Sequence, residues 1–548
     1  MSKKSFVKGA AILGIAGIIV KLLGAVFRLP LGNMIGATGM SYYTPAYYIY
    51  TIFVVIATSG IPVAISKMVS ERITVKNYEE AHRVFRYSMY LMLSIGIVSF
   101  GILFFGAGWL SNINGIPESK YSMMAVAPAL LVVPVMAAYR GYFQGMQNMK
   151  PTAVSQIIEQ FFRVGFGLFL AYTLFKAGGS IHLFSKYGSQ SGGAAGAAGA
   201  TFGATIGSLA GLLVILLIYK LSKKAIKHRI TIHAGGEREE GKTIMRNILL
   251  IAVPITIGAA IMPIMNFAEV PIIVNRLTAT GWTPDVAKNL YGQIGGLATP
   301  IINLPQVLTM ALAMSLVPAI SSRFKEGDME GLRSNTTLGM RIALIIGLPC
   351  ALGIAVLSQP IMLLLFPTRA SEAISVAPTL SILAIGVIFL SVVQTVSGIL
   401  QGVGKQMVPV KNLCVGIVIK IVLTWVLVGI PSLNIKGAAI GTCAAYLVVA
   451  VLDVYGVKKY TGAKFDIMLT YVKPLISSLV MAAVAWLTYY KLLSGGEGDS
   501  LKTLLAVFVA AVVYVVMLFV TRSITREDLE NMPGGDKILR LAQMIKRR

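Results

Sequence analysis

Apolar runs of about 20 residues recur along the whole of this 548-residue chain, each long enough as a helix to cross a hydrocarbon layer of roughly 30 Å. A chain built this way cannot bury its apolar surface as a soluble globule. Hydrophobic residues make up 56% of it and charged residues only 13%, and the mean hydropathy is +0.77. In lipid, every backbone N–H and C=O must be satisfied within the protein, and unbroken apolar runs of this length do so as helices. The pattern predicts an all-α polytopic membrane protein with about fourteen transmembrane helices.

Two stretches suggest how these helices are grouped. Ala138 to Val164, AYRGYFQGMQNMKPTAVSQIIEQFFRV, returns in blurred form about 257 residues later as SGILQGVGKQMVPVKNLCVGIVIKI, Ser397 to Ile421. Gln144-Gly145 answers Gln401-Gly402, Gly141 answers Gly398, and Pro151 answers Pro409 once a single residue is inserted. Ala64-Ile65-Ser66 likewise corresponds to Ala319-Ile320-Ser321. An internal repeat of this kind predicts two related halves. With an even number of spans in each half, the repeats run parallel, giving two six-helix lobes around a central cavity plus two extra C-terminal helices. The expected boundaries are 1–221 for the first lobe, 222–244 for a basic cytoplasmic linker, 245–460 for the second lobe, 461–522 for the added pair and 523–548 for a cytoplasmic tail.

Within this frame, helix 1 is expected from Lys8 to Leu29, ended by Pro30 and a Gly-rich link, Gly32 to Gly39, with helix 2 from Tyr43 to Ser66. Helix 6, Gly193 to Tyr219, is rich in Gly and Ala, which lets a neighbouring backbone approach closely. Helix 8 is expected from Leu290 to Ile320. Prolines at 30, 45 and 62, and at 263, 271, 300, 305 and 318, predict interrupted helices suited to gating.

The net charge of +26 resembles a nucleic-acid footprint only until its placement is considered. About 35 of the 48 Lys and Arg fall in the N-terminus, alternate loops and C-terminal tail, which assigns those segments and both termini to the cytoplasm. The eight Lys and Arg between Lys220 and Arg246 are placed to meet anionic membrane lipid, and no nucleic-acid partner is expected. Lys3-Lys4 and the apolar run behind them read as a retained first helix, because no small-residue cleavage site follows.

Catalytic chemistry has no foothold in the sequence. Cys350, Cys414 and Cys443 lie in apolar runs, and His82, His182, His228 and His233 lack ligand spacing, so no metal is expected. No Gly-rich phosphate loop ending in Lys-Ser/Thr and no nucleophile–base signature stands out, so neither an enzyme nor a bound cofactor is expected.

The informative residues are the few ionisable side chains inside spans, where a charge is costly enough to imply a task. Thr152, Gln156, Glu159, Gln160 and Arg163 form one polar stripe on helix 5, expected from Pro151 to about Lys176. Arg163 falls about 18 Å beyond Pro151, near mid-bilayer, and four residues after Glu159, the spacing of an intrahelical pair. Two readings follow: mutual neutralisation, or a cation held by Glu159 until substrate arrives. In the second copy, Lys420 takes the place beside Arg163's counterpart, with no acidic residue nearby on its helix. Lys21, Gly24, Ala25 and Arg28 share a face of helix 1, with Arg28 either lining a cavity or reaching the outer interface. Arg140 stands near a cytoplasmic helix end as a candidate substrate contact. Glu159 and Glu269 are the candidate carboxylates for Na+ or H+ coupling.

The order of KLLGAVFRLPLGNMIG (Lys21 to Gly36), SGIPVAISKMVSE (Ser59 to Glu71), YRGYFQGMQNMKPTAVSQIIEQFFR (Tyr139 to Arg163) and LVPAISSRF (Leu316 to Phe324) resembles the MOP exporter superfamily, in its polysaccharide-transport and stage V sporulation protein B-like, lipid II flippase-like branch. The resemblance covers essentially the whole chain. It implies a fourteen-helix flippase of the bacterial cell membrane that moves an undecaprenyl-diphosphate-linked saccharide, first among them lipid II, to the outer leaflet, with cell-wall synthesis proteins as candidate partners. It also implies basic residues lining the first-lobe cavity, and Arg28 matches the arginine at the end of the first helix. Arginines that Gram-negative lipid II flippases carry on helices 2 and 8 have no counterpart in Phe53 to Ile56 or Leu297 to Ile302. The expected mechanism is alternating access through a cationic cavity in which Lys21, Arg28, Arg163 and Lys420 contact the diphosphate. The alternatives are a flippase for another polyprenyl-linked polysaccharide unit and a cation-coupled multidrug antiporter of the same superfamily, whose cavity should carry free carboxylates.

Overall fold

The computed structural model describes residues 3–232, 238–493 and 499–523, and all regular structure among them is helical. Residues 233–237 of the expected linker, with His233, and the expected tail beyond residue 523 lie outside the described residues. The chain forms two compact units. The first, residues 1–300 with 428–435, contains α1 (Lys3–Thr58), α2 (Gly60–Thr74), α3 (Tyr78–Ile113), α4 (Lys120–Val126), α5 (Ala129–Gly145), α6 (Lys150–Ala177), α7 (His182–Ser185), α8 (Ser191–Ile232), α9 (Gly241–Ala279) and α10 (Pro284–Gly292). The second, residues 301–427 with 436–548, contains most of α11 (Thr299–Glu326), then α12 (Met329–Val356), α13 (Ser358–Leu365), α14 (Ala370–Gly402), α15 (Met407–Val428), α16 (Lys436–Thr461), α17 (Lys473–Leu487) and α18 (Ser500–Val520).

Thirteen stretches of the described residues are helical, long and apolar enough to cross a membrane. The first, Ile12–Thr74, has 63 residues, and as one straight helix it would extend about 95 Å, three times a hydrocarbon layer. It is not straight. The expected end at Pro30 is corrected: the helix runs through Pro30 and breaks at Gly36, whose φ of 68° and ψ of −179° are non-helical. A membrane helix tolerates proline because neighbouring groups can satisfy the carbonyl that its missing N–H frees. The Gly36 backbone, by contrast, lies where a Cβ is hardly accommodated. A second break at Ser59 divides the expected helix 2 into the end of α1 and the start of α2. Replacing Gly36 by alanine should cost roughly 1–3 kcal/mol, read as a lower unfolding temperature of the purified protein in detergent; an unchanged temperature would show that the break needs no glycine.

Five other prolines do not end their helices: Pro254, Pro263 and Pro271 stand inside α9, and Pro305 and Pro318 inside α11. Helix 8 departs from its expected form by starting at Pro284 and by a π-helical turn, Gln293–Ala298, just before Pro300. Such a turn re-phases the side chains that follow it.

The repeated stretch builds the same turn twice. In the first copy the Gln147 and Asn148 N–H groups donate to the Gln144 and Phe143 carbonyls; in the second, Gly404 and Lys405 donate to Gln401 and Leu400. Both have the paired bonds that close a helix around a left-handed residue, here Gln147 (φ 57°) and Gly404 (φ 79°). The repeat glycines serve close packing: Gly141 and Gly145 meet Pro62, Ile65 and Val69 of α2, while Gly398 and Gly402 meet Ala313 and Ile320 of α11. The matched Ala-Ile-Ser segments therefore lie in the helices against which their respective glycines pack.

The expected role of small residues on helix 6 holds. Gly199, Gly203, Gly207 and Gly211 of α8 recur every four residues and press on α6 at Leu170, Gly167, Arg163 and Glu159. A Cβ on Gly207 would stand 2.5 Å from the Glu159 carbonyl oxygen. In the second unit, α17 and α18 pack on α12 and α13 through Met481, Ala485, Ala506 and Leu357, and the Tyr514 hydroxyl donates to the Ile345 carbonyl at 2.7 Å.

Candidate functional site

Three tyrosines organise the interior of the first unit. Tyr43, Tyr47 and Tyr50 follow the Gly36 break at spacings of four and three, so they share one face of the helix. Tyr43 and Tyr47 stack at 5.7 Å between ring centres, and Tyr47 and Tyr50 follow at 6.3 Å. The Arg28 guanidinium lies 5.3 Å from the Tyr47 ring centre and 6.0 Å from that of Tyr43. Arg163 lies 5.7 Å from the Tyr50 ring centre, and its Nη2 donates to the Tyr50 hydroxyl at 3.0 Å. Arg28 thus rests against aromatic faces worth about 0.5–2 kcal/mol each to a cation. Tyr291 of α10, buried, lies within electrostatic reach of both Arg28 and Glu269.

The expected Glu159–Arg163 pair is corrected. Glu159 Oε2 instead accepts from Arg140 Nη2 of α5 at 2.9 Å, while Arg140 Nε donates to Ser155 Oγ at 2.9 Å. Ser155 and Glu159 are one turn apart and present a matched acceptor pair to a single guanidinium. Arg140 is only 9% exposed, and a buried charge needs its counter-ion more than one partly open to the surroundings does. Arg163, half-buried, is left to tyrosine, and its Nε is buried without a hydrogen-bond partner. Neither Arg28 nor Arg163 forms an ion pair with a carboxylate among the described residues.

The remaining candidates are more scattered. Lys21 lies two turns before Arg28 and is exposed; Gly24, between them, faces Gln160 of α6 at 3.4 Å from the position of a Cβ. Glu269 is half-buried on α9. Lys420 is 7% exposed on α15 and belongs to the second unit, where its charge reaches Cys443.

Several polar residues escaped the sequence reading. The tyrosine ladder had a signal, the helical spacing within YYTPAYYIY at the start of the expected helix 2. Glu118 accepts from Lys288 at 2.7 Å in a buried ion pair across 170 residues, with no sequence signal at all. In the second unit, buried Asp453 accepts from Asn412 at 2.7 Å; as a carboxylate within an apolar span it was legible and overlooked.

A family model described as polysaccharide biosynthesis protein matches residues 6–324, and one described as MatE matches residues 294–426. Three proteins of Bacillus subtilis (strain 168) align along nearly the whole chain. The uncharacterized membrane protein YabM is 29% identical, with 99% of this chain and 97% of the relative covered. The lipid II flippase MurJ is 28% identical, with 95% of each covered. Stage V sporulation protein B is 25% identical, with 97% and 98% covered. Among solved structures, lipid II flippase MurJ in an inward closed conformation is similar at a TM-score of 0.64 and 18% identity, covering 93% of this chain and 98% of that one. An inward-facing multidrug resistance MATE family transporter of the MOP superfamily is similar at 0.63 and 16%, covering 81% and 94%. At these identities the structural likenesses establish the fold.

Proposed function

The chain belongs to the polysaccharide biosynthesis protein family, in the stage V sporulation protein B-like and lipid II flippase-like branch of the MOP exporter superfamily, and on that premise we propose that it is a flippase carrying an undecaprenyl-diphosphate-linked saccharide to the outer leaflet, with lipid II the first cargo to test. It is a membrane transporter and not an enzyme. In this reading it resides in the bacterial cell membrane with both termini cytoplasmic, and it works by alternating access.

The observation that carries the proposal is the pair of guanidinium groups, Arg28 and Arg163, held on tyrosine faces while the nearby carboxylate of Glu159 is committed to Arg140. A diphosphate entering a hydrocarbon layer loses hydration that must be replaced by charge and hydrogen bonds. Guanidinium supplies both in a planar fork that fits phosphate oxygens, and tyrosine faces hold it without cancelling its charge. The polyprenyl tail has no such need and can stay in lipid. Lys21 and Lys420 are further candidate contacts in this reading, and Glu269 remains the candidate for Na+ or H+ coupling. An organic-cation antiporter is disfavoured by the same geometry, since Glu159 is not a free carboxylate.

Depleting the protein in its host while following lipid II on the outer leaflet tests the cargo. Outer exposure should fall on depletion and return with the wild-type chain but not with Arg28→Ala. Unchanged exposure in a host without a second flippase would exclude lipid II and direct the test to other polyprenyl-linked units.

A further inference from the structure

One face of α9 lies apart from the Arg28–Arg163 cluster and carries Lys242 and Arg246, the last two cations of the basic stretch. Ile244, Ile248 and Ala252 turn into the core against α2, α3 and α5. The opposite face forms one wall of a groove of ≈ 850 Å³ whose other side includes Tyr87 of α3. Along this groove the chemistry changes in one direction. Lys242 and Arg246, both exposed, stand at the end where the helix begins, and Leu249, Leu250 and Val253 continue it, 40%, 63% and 47% exposed.

The nearby carboxylates are occupied elsewhere. Glu239 pairs with Arg72, Glu80 with Arg83 at 2.8 Å, and Glu79 with Arg238 at 2.6 Å. Lys242 and Arg246 have no acidic partner among the described residues. Glu240, exposed and just outside the helix, is the remaining acidic neighbour on their own segment.

We infer that this groove is a binding site for one anionic phospholipid, its phosphate held by Lys242 and Arg246 and an acyl chain laid along Leu249, Leu250 and Val253. Charge complementarity selects the occupant: two cations at the helix start, followed by a little over one turn of open apolar side chains, match the length-wise order of a phosphate headgroup and its chain. A neutral lipid would satisfy only the apolar part, and a free anion only the cationic part. The site is separate from the Arg28–Arg163 cluster and does not depend on the flippase reading.

Native mass spectrometry of the full purified chain, titrated with phosphatidylglycerol or phosphatidylcholine in detergent, tests it. The wild type should retain phosphatidylglycerol in preference to phosphatidylcholine, and Lys242→Gln with Arg246→Gln should weaken phosphatidylglycerol binding about 25-fold. Lys458→Gln with Lys459→Gln, exposed lysines of α16 that do not line the groove, should leave it unchanged. An unchanged unfolding temperature without lipid shows that the groove variant is folded. Equal retention of the two lipids, full retention by the groove variant, or equal loss in both double variants would overturn the site.

Discussion

Exchanging Arg28 or Arg163 for alanine is expected to slow lipid-linked saccharide flipping about 10- to 150-fold at unchanged protein level in the membrane. The range follows from losing one hydrogen-bonded contact to a charged group, about 1.5–3 kcal/mol, at 1.4 kcal/mol per tenfold. Lysine at either position should restore only part of the rate. An ammonium keeps the charge but neither the planar fork nor the stacking on tyrosine. Tyr50→Phe should be milder than Arg163→Ala, because it keeps the ring beneath Arg163 and removes only the hydroxyl that accepts from it. Reconstituted vesicles with a labelled lipid-linked saccharide give the rates. Wild-type rates in both alanine variants would show that the cationic cluster is not where the cargo passes.

A different signature is expected from the buried pair behind it. Glu159→Ala removes the carboxylate that faces Arg140 and leaves a guanidinium enclosed with only Ser155 as partner. Breaking a buried ion pair in this way costs about 3–5 kcal/mol, so the variant should unfold at a markedly lower temperature and accumulate poorly in the membrane. Arg140→Met combined with Glu159→Leu should recover most of that stability, since an apolar replacement leaves no stranded charge. This cycle separates two roles for Glu159. A structural counter-ion predicts rescue of folding by the double change. A coupling carboxylate predicts instead that Glu159→Gln folds normally and alters the pH or Na+ dependence of transport. If Glu159→Ala is as stable as wild type, the pair does not hold α5 to α6.

Much of this molecule follows from local rules. Apolar runs had to become helices because lipid offers the backbone no other partners. The 257-residue offset carried the same helix-closing turn into both copies, down to the left-handed residue at Gln147 and Gly404. The glycines spaced by four in α8 implied a close neighbour before it was known to be α6. Intramembrane cations were likewise conspicuous as expensive residues.

What local rules could not decide was which groups meet. Spacing along one helix offered Glu159 to Arg163, yet the carboxylate went to Arg140 on another helix, because the more buried cation has more to lose without it. The tyrosine ladder became a platform for Arg28 only because the chain breaks at Gly36 rather than at Pro30 and returns the next helix alongside the first. Glu118 and Lys288 are joined across 170 residues with nothing in either segment to announce the other. The sequence by itself determined the class, the repeat and the set of costly charges, since each depends on neighbours within a few turns. The tertiary structure alone decided how those charges are partnered, since that depends on distances between helices and on how deeply each side chain is enclosed.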